Sequence, residues 1–154
     1  MAKQQPPVPL PLQEMARHVA YEVGRLEFAA SQREFMENNE RGGLIREAFL
    51  IHFRNLLDFF YGSKTFATDA LADDYMDSSS AWTPNVTAWW NEDKIRCNKL
   101  LAHLTYERVE YEKSGELKWK RDFISQTKHI QDEWRAFLAA LTAERKAWFR
   151  SPEH

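Results

Sequence analysis

The run Leu44-Ile-Arg-Glu-Ala-Phe-Leu-Ile-His-Phe-Arg-Asn-Leu-Leu-Asp-Phe-Phe-Tyr61 decides the fold class of this 154-residue chain. It holds no Pro or Gly, and its apolar residues point in every direction of a 3.6-residue repeat, as expected of a helix at the centre of a bundle. Its polar residues are therefore informative. Arg54 and Asp58 are spaced to pair on one face, Glu47 lies further back along that stripe, and His52 and Asn55 form an adjacent strip. Buried ionic and amide groups need partners, so these side chains are expected to hydrogen-bond across to the Arg96–Arg108 helix.

Outward from that run, residues 12–38 carry Leu12, Met15, Ala16, Val19, Val23, Leu26 and Ala30 in a three-four rhythm, which predicts a first helix. Asn38-Asn39 and Gly42-Gly43 tolerate left-handed backbone and predict a stop and a tight reversal before the second helix, 44–61. Residues 62–83 lack a steady period. They read as one long crossover with a short helix over 70–76, tethered by Phe66, Leu71, Tyr75 and Trp82. The acidic group Asp69, Asp73, Asp74 and Asp77 lacks a calcium-loop pattern and reads as a solvated turn.

Thr83-Pro84 has the form of a helix opening. A third helix is expected from there to about Lys113, with a break near Asn91 and a stop at Ser114-Gly115. In the fourth helix Phe123, Thr127, Ile130, Trp134, Phe137 and Leu141 form a packing seam. Trp148 and Phe149 at its far end are placed to cap the bundle or to meet another subunit. The expected architecture is all-α: an antiparallel four-helix bundle, up-down-up-down, with one long connection between helices two and three.

Composition narrows the classes. An apolar content of 44% supports one core, giving a Pro-rich arm over 1–11 and a single domain over 12–150. The arm holds Pro6, Pro7, Pro9 and Pro11 and could dock a protein partner in an extended conformation. A net charge of −2 argues against strong nonspecific binding to nucleic acid. The single cysteine, Cys97, excludes an internal disulfide and suits a reducing, cytoplasmic setting. No signal peptide or membrane-length apolar run occurs, so no membrane association is expected.

Phosphate-loop, nucleophile-elbow and di-iron motifs are missing, and no cofactor is implied. A metal site assembled from His52, Asp58 and His103 is one alternative, although no spacing motif supports it. His129, with Asp132 and Glu133 after it, reads as a solvated helix surface. The chemical candidates lie in Lys94-Ile-Arg-Cys-Asn-Lys-Leu-Leu-Ala-His-Leu-Thr-Tyr-Glu-Arg108. Arg96 and His103 are seven residues apart, which places them on one helical face about 10 Å apart, with Lys99 between. From 94 to 121 eight basic residues face four acidic ones.

Arg-x6-His on the third helix of a helical bundle resembles the HEPN superfamily, whose Arg-x4-6-His motif serves metal-independent RNA endonucleases. The resemblance implies a homodimer with RNA as substrate. Arg96 would stabilise charge on the scissile phosphate and His103 would exchange protons with the ribose 2′-OH or the leaving oxygen, with Lys99 adding a phosphate contact. The wider pattern, residues 52–60 with 98–108, also looks like a group of small uncharacterised bacterial proteins. The alternative is a noncatalytic interaction module. In it, His52, Arg54, Asn55, Asp58, Asn98, His103 and Arg108 form an internal polar network that sets the register of the central helices.

Overall fold

A computed structural model describes residues 11–32, 40–77, 82–102, 106–114 and 123–150. The chain is all-helical there, with no strand among the described residues. Helix α1 spans Leu12–Ser31 and buries Ala16, Val19, Val23, Leu26 and Ala29, the face its rhythm predicts. Pro11 sits at its start, and the Pro11 carbonyl accepts the first helical bond from the Met15 amide at 2.9 Å. The Pro-rich arm before Pro11, the Asn38-Asn39 stop and the Gly115 stop lie outside the described residues.

Helix α2 spans Glu40–Tyr61, so Gly42 and Gly43 lie inside it and do not make the expected reversal. Glycine costs a helix interior only about 1 kcal/mol, which is small beside the apolar burial of this helix. Phe49, Leu50, Phe53, Leu56 and Leu57 are essentially inaccessible. The helix is not buried all round, however, because Leu44 and Ile51 face outward. At its end the Gly62 amide closes on the Asp58 carbonyl at 2.9 Å. A Cβ at Gly62 would collide with that carbonyl oxygen, so glycine fits here through close approach of backbone to backbone.

The crossover runs beside α2 and includes a 3₁₀ turn, Ala72–Tyr75. Asp74 accepts from the Leu71 amide at 2.9 Å and pairs with Lys64 at 2.6 Å. Tyr75 is fully buried, and its hydroxyl donates to the Leu12 carbonyl at 3.1 Å. Phe66, expected as a tether, is instead 68% exposed.

Thr83-Pro84 opens no helix. Trp82 packs on Phe60 and Phe137, and the Asn85 amide is taken by the Glu133 carboxylate at 3.0 Å, so this segment is held by tertiary contacts in irregular form. Helix α3 begins only at Trp90, runs to Cys97 and widens into a π turn over Asn98–Ala102. Helix α4 spans Glu107–Ser114.

Helix α5 covers Phe123–Ala140, and α6 covers Ala143–Trp148. The expected continuous fourth helix is thus broken at Leu141-Thr142, where the Thr142 hydroxyl accepts from the Arg145 amide at 3.3 Å and caps a new helix. The break returns Phe149 to the core. Its ring lies 4.9 Å from Tyr75, 5.4 Å from Trp134 and 5.3 Å from Phe137. Helix α1 packs on α2, α5 and α6, while α2 also packs on α3 and α5. No described helix is long and apolar enough to cross a membrane.

Phe137 has no solvent exposure and touches rings from α2, the crossover, α5 and the C-terminal end. Phe137→Ala is expected to lower unfolding free energy by about 3–5 kcal/mol. Ile124→Ala, at a residue 56% exposed on the same helix, should change it by under about 1 kcal/mol. Denaturant titration of the two variants checks the contrast.

Candidate functional site: a polar seam between α2 and α3

Arg96 does not project into solvent. Its side chain is 7% exposed on the inner side of α3, and its Nε and Nη2 donate to Glu92 Oε1 at 3.2 and 3.1 Å. Beside it on α3, Asp93 is also buried and accepts from Gln126 Nε2 of α5 at 2.9 Å. Cys97, one residue on, is 1% exposed. Burial, with help from the Asp93 charge and against the pull of Arg54, pushes its thiol up to about 12, which disfavours the reactive thiolate. Lys99, expected to share a face with Arg96, is exposed. His103 and the side chain of Arg108 lie outside the described residues.

The polar strip of α2 is brought together with α1 and α3. His52 Nδ1 and Asn55 Nδ2 both meet Glu22 Oε2, at 2.8 and 3.1 Å, so these two residues turn to α1 and not to the Arg96–Arg108 helix as expected. Arg54 Nε donates to the Asn98 side chain at the start of the π turn, and Lys94 of α3 pairs with Asp58. Arg54 makes looser contacts through Nη1 to Asn55 at 3.4 Å and through Nη2 to Asp58 at 3.9 Å. Glu47 is exposed. Two of the three residues suggested for a metal, His52 and Asp58, thus engage different partners. Among the described residues no group of three or more His, Cys, Asp or Glu side chains could hold a metal ion.

This seam opens on a cleft of about 400 Å³ between α2, α3 and the loop of residues 62–71. Arg54, Asp58, Lys94 and Asn98 form its helical wall. Phe66 and Asp69 stand on the loop wall. Asp69 Oδ2 accepts from the Thr65 and Phe66 amides at 2.9 and 2.8 Å. These amides, Phe66 first, hold its carboxyl below the usual carboxylate range.

A second polar cluster was missed in the sequence. His129 is not on a solvated surface: its ring packs edge-on to Trp89 at 4.9 Å, and its Nε2 lies 2.6 Å from the Tyr61 hydroxyl. That hydroxyl donates to Glu133 Oε2 at 3.2 Å, and Glu133 is 3% exposed. Tyr61 has one proton, so when it donates to Glu133, His129 must present Nε2–H to the phenol oxygen. Burial, then the Glu133 charge, raises the Tyr61 phenol far above its usual range. Burial lowers the His129 imidazole, against the opposing pull of Glu133 and Asp132. The sequence signal was available: Gln126, Ile130, Glu133 and Phe137 step by four, three and four, which puts Glu133 on the packed seam.

Because the folded state holds His129 below its unfolded value near 6.5, the unfolded chain binds the extra proton more readily. Stability contributed by neutral His129 is present above about pH 6.5 and declines as pH falls through that value toward the lower folded one. Melting temperature should therefore fall over this window less steeply in His129→Gln than in the wild type. Tyr61→Phe should cost about 1–3 kcal/mol at neutral pH by orphaning the His129 donor. Identical pH slopes for wild type and His129→Gln would contradict the assignment.

Comparison of the chain with protein-family models, curated proteins and solved structures finds no match.

Proposed function

We propose that this protein is a noncatalytic helical interaction module, cytoplasmic and built as a four-helix up-down-up-down bundle. Helices α1, α2, the α3–α4 run and α5 would be its four members. The observation that carries this reading is the seat of Arg96: a guanidinium 7% exposed and held by Glu92 is poorly placed to meet a scissile phosphate. The links from Glu22 through His52 and Asn55, and from Arg54 and Asp58 to Asn98 and Lys94, support a register-setting role for the central polar residues. A second copy of the chain, or a protein held by the Pro-rich arm, is the partner this reading calls for.

The HEPN-like reading makes the opposite demand. It needs RNA cleavage in excess EDTA that leaves a 2′,3′-cyclic phosphate and disappears in both Arg96→Ala and His103→Ala. The module reading expects no cleavage by the wild-type chain. It expects Arg96→Ala to cost about 1–3 kcal/mol by removing the charge-assisted hydrogen bonds of a nearly buried guanidinium to Glu92. An RNA incubation and a thermal melt on the same proteins decide the matter, and metal-independent cleavage lost in both variants would overturn the module reading. For the network itself, a double-mutant cycle on Arg54→Ala and Asn98→Ala should return a coupling of about 0.5–3 kcal/mol. Additive losses there would remove the register-setting role.

A further inference from the structure

The cleft at the polar seam has a charge arrangement that a purely structural network does not need. Its helical wall carries Arg54 and Lys94 around one carboxylate, Asp58, while the loop wall carries a second carboxylate, Asp69. The lining is neutral in sum but divided, with a cationic excess on one wall and an acid on the other.

The groups that internal pairing holds only loosely are specific. Arg54 spends Nε on Asn98, yet its two terminal nitrogens reach only 3.4 and 3.9 Å contacts, at or beyond hydrogen-bond range. Their fork matches a carboxylate. On the facing wall, the two loop amides use Asp69 Oδ2, and Oδ1 makes no hydrogen bond among the described residues. Apolar side chains line the same cleft: Phe59, Leu71 and Phe66, the first buried and the last with 68% of its surface in solvent. A smaller hollow of about 160 Å³ adjoins past Asn55, Phe59 and Ala70 and is walled mainly by apolar side chains such as Met15 and Leu56.

We propose that this cleft binds a small zwitterion with an apolar body, in the manner of a free α-amino acid with an aliphatic or aromatic side chain. Its carboxylate sits on the Arg54 fork beside Lys94, its ammonium on Asp69 Oδ1, and its body on Phe59, Phe66 and Leu71. A simple anion would leave Asp69 facing like charge, and a simple cation would face Arg54 and Lys94; only a ligand with both ends satisfies both walls. The volume suits a molecule of this size. This site goes beyond the interaction-module reading and stands whether or not that reading holds.

Calorimetric titration of the full chain with leucine and phenylalanine tests it, alongside 4-methylpentanoate, which lacks the ammonium, and isoamylamine, which lacks the carboxylate. At least one amino acid should bind saturably with one site per chain, and both one-ended analogues should bind about tenfold or more weakly. Arg54→Gln and Asp69→Asn should each weaken the amino acid by a similar factor. Both residues also brace their surroundings, so Phe66→Ala supplies a variant at an exposed ring: affinity should drop while the melting temperature stays at the wild-type value. No saturable uptake of either amino acid, an analogue that binds equally well, or unchanged affinity in Phe66→Ala would each overturn the proposal. None of these outcomes depends on RNA cleavage or on the stability of Arg96→Ala, so failure here leaves the module reading to its own test.

Discussion

The convergence of rings on Phe137 is the contact on which the rest of the molecule depends. Phe59 and Phe60 reach it from α2, Tyr75 from the 3₁₀ turn of the crossover, Trp82 from the crossover's far end, Trp134 from its own helix, and Phe149 from beyond α6. All but the stacked Trp134 meet it edge to face, a packing that is directional as well as apolar, so each of these rings restricts the approach of its segment. Once Tyr75 and Trp82 are seated, the crossover has little freedom in how it passes α2. Its first part, residues 62–71, is thereby held beside the Arg54–Asp58 strip, and the cleft lies along that path.

The polar side chains fall into two physical settings. Those between α3 and α5, and those joining α2 to α5 through Tyr61, are nearly or fully dry: Asp93, Arg96, Gln126 and Glu133 are each at most 6% exposed. The charges in that state must be paired within the protein, because an unpaired charge there would cost several kcal/mol. The strip of α2 is different. Arg54 and Asp58 keep about a third of their side-chain surface in solvent, as shown by exposures of 31% and 36%. Ion pairs in that setting add little to stability, and their groups remain able to exchange one partner for another. A ligand has access to the second setting and not to the first.

The π turn over Asn98–Ala102 joins these settings. It follows directly on the buried Arg96 and Cys97, and Asn98 at its start accepts from Arg54. Such widened turns shift the register of the residues that follow relative to a regular helix. Spacing arguments that run through Asn98–Ala102 therefore do not carry the usual helical angle.

The sequence by itself determined the helical class, the inner face of α1 and the central burial of Phe53, Leu56 and Leu57, because those depend on apolar periodicity along a single segment. It also marked His52, Arg54, Asn55 and Asp58 as polar residues in an apolar helix that must find partners. Local signals failed where a distant contact outweighed them. Gly42-Gly43 is helical because the cost of two glycines is small; Thr83-Pro84 is irregular because α5 claims the Asn85 amide; and the last helix breaks so that Phe149 can reach Phe137. Only the tertiary structure decided that Arg96 is buried while Lys99 is exposed, and that Glu133 and His129 belong inside. Whether a polar side chain meets water or protein depends on which element packs over it, and that neighbour can lie 72 residues away, as Tyr61 does from Glu133.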